Sequence, residues 1–98
     1  MNVETHASVP TGSASWYLQQ LCKHWAHKFA VVFDAAAGSV PFPNGAVLRM
    51  TATGDTLQVS VTAADAASAV SMQDVIAKHL DRFAFREAPL PFAWSEPA

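Results

Sequence analysis

The sequence predicts an α+β fold in which two helices pack on one face of an antiparallel sheet. Three observations carry this. Two stretches, one following "TGSAS" and one following Asp65, repeat their apolar residues at steps of three and four, the period of an amphipathic helix. Around and between them the period drops to two, as in strands with one face buried. The order is then strand, helix, several strands, helix, tail, which suits a β-α-β(4)-α arrangement with both helices on the same side.

Each element has a local reason. Thr5–Val9 reads as an opening strand ended by Pro10, because proline cannot donate to a ladder. Ser13 or Ser15 offers an oxygen to the free N–H groups of a first helical turn. From there Ala14, Tyr17, Leu18, Leu21 and Trp25 form a stripe whose innermost members are Leu18, Leu21 and Trp25. "FAVVF" places Phe29, Val31 and Phe33 on one face of a strand, "DAAAGS" turns the chain, and "VPFPNG" reads as a short, proline-limited strand that must lie at an edge or end early.

Two longer alternating runs follow. Ala46, Leu48, Met50 and Ala52 share one face, opposite Val47, Arg49 and Thr51; Leu57, Val59 and Val61 share another, opposite Thr56, Gln58, Ser60 and Thr62. Between them "TGD" offers a Gly-first turn for a tight hairpin. Asp65 caps a second helix from about Ala66 to Arg82, with Ala69, Met72, Ile76, His79, Leu80 and Phe83 as its stripe. "FAFREAPLPFAW" alternates again and returns as an extended segment, with Pro89 and Pro91 limiting its pairing. Residues 1–98 make one domain, with 1–4 and 95–98 as frayed tails.

Composition narrows the function classes. The chain is 51% hydrophobic and 14% charged, against an ordinary charged share of about 25%. So few charges predict that part of the surface is covered, by a second copy in a homodimer or by a small-molecule ligand. The net charge is −2 and the six basic residues are scattered, which leaves no footprint for general nucleic-acid binding. No run approaches the ~20 apolar residues of a membrane span. The first ten residues lack a basic and an apolar signal region, and Cys22 is the single cysteine. The expected compartment is therefore the cytoplasm.

"LCKHWAHKF" concentrates the candidate chemistry. His24 and His27 stand three apart on one helix, acceptable spacing for two ligands of zinc or iron. A zinc site wants three or four ligands, and no HExxH or paired CxxC supplies them. The remainder would come from His79, His6 or Glu87. The plainer reading makes His24 and His27 solvated neighbours of Lys23 and Lys28. Cys22 on the shoulder of the stripe reads as a small packing residue rather than a nucleophile. His79 lies inside the second stripe, where a buried imidazole must find a partner, either a backbone carbonyl or a pocket shared with His24. Arg82 suits a helix C-terminus; Arg86 and Glu87 could pair or anchor an anion. Trp16 falls on the polar side of its helix and is the candidate exposed aromatic contact.

The stretches "SASWYLQQLCKHWAHKF" and "HLDRFAFRE" resemble a bacterial family of small proteins, domain of unknown function 2218. The resemblance runs from about Ser13 through Trp94. Matching residues are Leu21, Cys22, Lys23, His24, Trp25, His27 and Lys28, then His79, Leu80, Asp81, Arg82, Phe83, Phe85, Arg86 and Glu87. Trp16 departs from the family, which often has arginine there, so no role carries over to it. The resemblance implies no activity, only an association with siderophore-related iron handling.

The leading expectation is a non-catalytic binding module whose groove between the helices uses Trp16, His24, His27, His79, Arg86 and Glu87. The alternative is an iron- or zinc-dependent accessory protein or enzyme built on His24, His27 and His79.

Overall fold

The computed structural model describes residues 2–87, 90 and 92–98. In chain order the elements are β1 (Val3–Pro10), α1 (Ala14–Trp25), β2 (Val32–Phe33), β3 (Ala37–Pro41), β4 (Val47–Ala52), β5 (Thr56–Ala63) and α2 (Ala66–Phe83). This is the β-α-β(4)-α order. The strands form one antiparallel sheet in the order β1-β5-β4-β3-β2, so α1 carries the chain from one edge of the sheet to the other.

The alternation of apolar residues decides which sheet face the helices cover. Leu48 and Met50 of β4, and Leu57, Val59 and Val61 of β5, all point inward and are buried, while Arg49, Thr51 and Gln58 are exposed. α1 lies over β3 and β4, and α2 over β5 and β1. Leu18 and Leu21 of α1 meet Ile76 and Leu80 of α2 in the same core. The opposite sheet face stays open, with His6, Arg49 and Gln58 lining a shallow depression.

Turn and cap chemistry differs from expectation at two points. Ser13 occupies the α1 cap position but makes no side-chain cap bond; instead its own N–H donates to Thr11 Oγ1 at 3.1 Å. At the β4–β5 hairpin, Gly54 does not take a positive φ; among the described residues only Gly45 does. The Thr53 side chain organises that turn, accepting from Thr56 N–H at 3.1 Å. The strand expected over "FAVVF" shrinks to Val32–Phe33, because Phe29 and Val31 bond within the turn that follows α1.

Asp65 caps α2 as the sequence suggests, accepting from Ser68 N–H at 2.8 Å. That bond, and a second from the Ser68 hydroxyl, hold its carboxyl below the usual carboxylate range. A lowered folded-state pKa means the stabilisation is fully present above the unfolded-state value and is lost as pH falls through the folded one. Asp65→Ala should therefore lower the urea midpoint at neutral pH and match the parent once the carboxyl is protonated. An equal deficit at both pH values would show that the ionised cap contributes nothing.

The tail is not frayed. Ser95 N–H donates to His6 O at 2.8 Å, and Glu4 and Ala98 exchange backbone bonds of 3.0 and 3.1 Å. The segment so covers the outer edge of β1, which would otherwise expose unpaired backbone groups. Thr5, buried on the core face, donates to Ser95 O and accepts from Gln73 Nε2 of α2 at 2.9 Å. At the other terminus Val3 and Glu4 belong to β1, while Met1, Pro89 and Pro91 lie outside the described residues.

Candidate functional site

The covered faces of α1 and α2 meet the sheet, and their adjoining flanks make a groove. Trp16 and His24 stand about two turns apart along α1, and His79, Arg82 and Phe83 follow one another at helical spacing along α2. Two recesses open there, with Phe83 in the wall of both. One, of about 240 Å³, is lined by His24, His79, Arg82 and Phe83. The other, of about 320 Å³, is lined by Ser13, Trp16, Tyr17, Phe83, Phe85 and Arg86.

His79 is half-buried rather than enclosed in the core. Its Nδ1 lies 2.7 Å from Val75 O. A carbonyl only accepts, so Nδ1 carries the proton and donates, and Nε2 is the nitrogen left for the recess. The His79 ring sits 5.0 Å from Trp25 and 5.3 Å from His24, centroid to centroid. His24 also meets the Phe83 ring edge-on at 6.0 Å. Desolvation of its ring, then the cationic neighbours His79, Lys28, Arg82 and His27, lower the His24 pKa.

The second recess has an organised back wall. The Tyr17 hydroxyl donates to Glu87 Oε2, and Thr11 Oγ1 reaches the same carboxylate at 3.1 Å. Burial and then the Glu87 carboxylate push the Tyr17 phenol up, so it stays a protonated donor. Glu87 thereby ties the segment after α2 to the start of α1. It does not pair with Arg86, whose guanidinium instead lies 5.7 Å from the Phe85 ring centroid, within cation–π range. Trp16 and Phe85 expose 52% and 72% of their surface, two large apolar side chains at one recess.

The structure thus brings His24 to His79, and Trp16 to Arg86, with Glu87 behind. His27 is exposed and lines neither recess, and His6 lies on the open sheet face. Among the described residues no group of three His, Cys, Asp or Glu side chains could hold a metal ion. The zinc or iron set expected from His24, His27 and His79 is not assembled, because His27 falls beyond the last turn of α1. Cys22 is fully buried, and burial pushes its thiol up to about 11, the reverse of an activated nucleophile. Sequence reasoning missed Tyr17, assigned to the core stripe alone, and Arg82, already explained by its helix end. The available signal was the spacing of Arg82 and Phe83 after His79 on one flank.

A family described as an uncharacterised protein conserved in bacteria (DUF2218) matches residues 6–95. The chain belongs to the DUF2218 family. The NMR structure of PA4090 from Pseudomonas aeruginosa is similar to it at 33% identity, covering 95% of each chain with a TM-score of 0.80. No curated protein matches. Both motifs that carried the resemblance fall within the DUF2218 match, and together they supply most of the groove: His24 from the first, and His79, Arg82, Phe83, Phe85 and Arg86 from the second. No helix among the described residues is long and apolar enough to cross a membrane.

Proposed function

We propose that this chain is a non-catalytic binding module whose seat is the groove between α1 and α2, taking a small molecule with a flat apolar body. The observation that carries the reading is the pair of exposed aromatics, Trp16 and Phe85, facing one recess with Phe83 in its wall. Leaving apolar surface in water forgoes about 25 cal/mol per Å², and a planar ligand between these rings recovers it. Arg86 over Phe85 presents a second flat surface to the same space. A binding rather than catalytic role is supported by the inert Cys22 thiol and by the absence, among the described residues, of any carboxylate bonded to His24 or His79 as an orienting group.

The neutral dye N-phenyl-1-naphthylamine tests this, followed by fluorescence and amide NMR. Shifts should concentrate at residues lining the Trp16–Phe85 recess, and the Trp16→Ala/Phe85→Ala variant should weaken binding about tenfold or more. Dye shifts confined to the open sheet face around His6 and Arg49 would defeat the reading. A homodimer closing over the same aromatics would compete with the dye, and sedimentation over a concentration series separates the two.

A further inference from the structure

We propose that the recess between His24, His79 and Arg82 is an oxyanion seat, so that the ligand of the groove is an organic acid with a carboxylate or phosphate-type head. This rests on the groove reading for the apolar body, and on the recess alone for the head. Three nitrogen-bearing side chains from two helices converge on a recess of about 240 Å³, ample room for a small oxyanion together with bound water. His79 keeps its Nδ1 proton on Val75 O, which leaves Nε2 to donate when the ring is charged. The His24 side chain makes no hydrogen bond among the described residues, and the only ion pair there is Lys78–Asp74. Arg82 therefore has no carboxylate partner.

The surroundings carry one sign of charge. His79 and Arg82 face His24 from α2, and Lys28 and His27 from the turn after α1. The nearby acids are turned elsewhere. Asp81 accepts from Leu90 N–H at 3.0 Å, and Glu87 is held by Tyr17 and Thr11. Phe83 supplies an apolar wall and Trp25 packs behind the His79 ring, which strengthens the electrostatics of the recess. Desolvation first, and then repulsion from these neighbours, lowers the His24 pKa. A bound anion reverses the sign of the interaction. A divalent metal would meet the same repulsion from Arg82 and Lys28 with only two imidazoles to hold it. The Arg82 guanidinium stays charged throughout, whereas the His24 imidazole, with its pKa lowered, gains its charge only towards acid pH, so the seat strengthens as pH falls.

Sulfate, whose charge is constant across the range, and acetate are the probes, with sodium chloride at matched ionic strength as the control. Histidine ring protons are followed by NMR at about pH 5.5 and about pH 8, either side of the ordinary imidazole value of about 6.5. Sulfate should move the His24 and His79 signals but not His6, raise the His24 titration midpoint, and bind about tenfold more weakly at the higher pH. Arg82→Gln and His24→Gln, on different helices and both at exposed positions, should each weaken it while leaving the remaining amide spectrum in place. Stronger sulfate than acetate binding marks a phosphate-type head and the reverse a carboxylate; either supports the seat. Shifts no larger than those with chloride overturn it. So does stoichiometric zinc binding that is lost in both His24→Ala and His79→Ala. Because sulfate has no apolar part and the dye no charge, failure of one leaves the other result standing.

Discussion

Leu21→Ala is expected to cost about 2–5 kcal/mol of folding stability, the range for emptying a buried leucine site. Leu21 is 0% exposed in the core formed by α1, α2 and the sheet. Truncation removes the transfer energy of the lost carbons and leaves a void that helix and sheet cannot both move to fill. Domains of this kind hold only about 5–15 kcal/mol in total, so the variant should approach or cross the unfolding threshold at physiological temperature. Six residues along, His27→Ala should change stability by no more than about 0.5 kcal/mol, as expected for an exposed position without partners. Urea unfolding of both variants checks the contrast. A Leu21→Ala cost below about 1 kcal/mol would mean that the site collapses around the smaller side chain.

Gly38→Ala is the second large effect, expected at about 1–3 kcal/mol from overpacking. Gly38 does not owe its identity to an unusual φ, since Gly45 alone among the described residues has a positive one. It is glycine because α1 comes down on β3 at that point. An added Cβ would lie 2.7 Å from Cys22 Sγ, 3.2 Å from Phe33 Cβ and 3.3 Å from Leu18 Cδ2. Neither Cys22 nor Leu18 has room to retreat, both being 0% exposed. The clash is mainly with sulfur, so Cys22→Ala should relieve it. The double variant should be more stable than the two single costs predict by about 1 kcal/mol, a coupling that additive behaviour would exclude. Such coupling identifies Cys22 as the residue that sets how close α1 approaches the sheet.

Leu21 can be placed in the core from its helical period alone, whereas the need for glycine at position 38 arises only where α1 lies against β3. The inward faces of β4 and β5 and the stripes of α1 and α2 were legible, because burial of one face imposes a period of two or 3.6 on the chain itself. Asp65 was legible as a cap because its partner, Ser68, is three residues away. Bonds between distant segments leave no such period. Glu87 reads as a candidate partner of its neighbour Arg86, and only the fold brings Tyr17 and Thr11 to it, 70 and 76 residues back along the chain. The tail reads as alternating and then frayed, and only the free edge of β1 supplies the backbone partners that hold Ser95 and Ala98. His24 and His27 look equivalent in "LCKHWAHKF", yet the helix ends at Trp25 and only His24 reaches α2. Spacing along one helix places a side chain on a flank. Whether that flank meets a histidine and an arginine, or open water, is settled by where the other helix lies on the sheet.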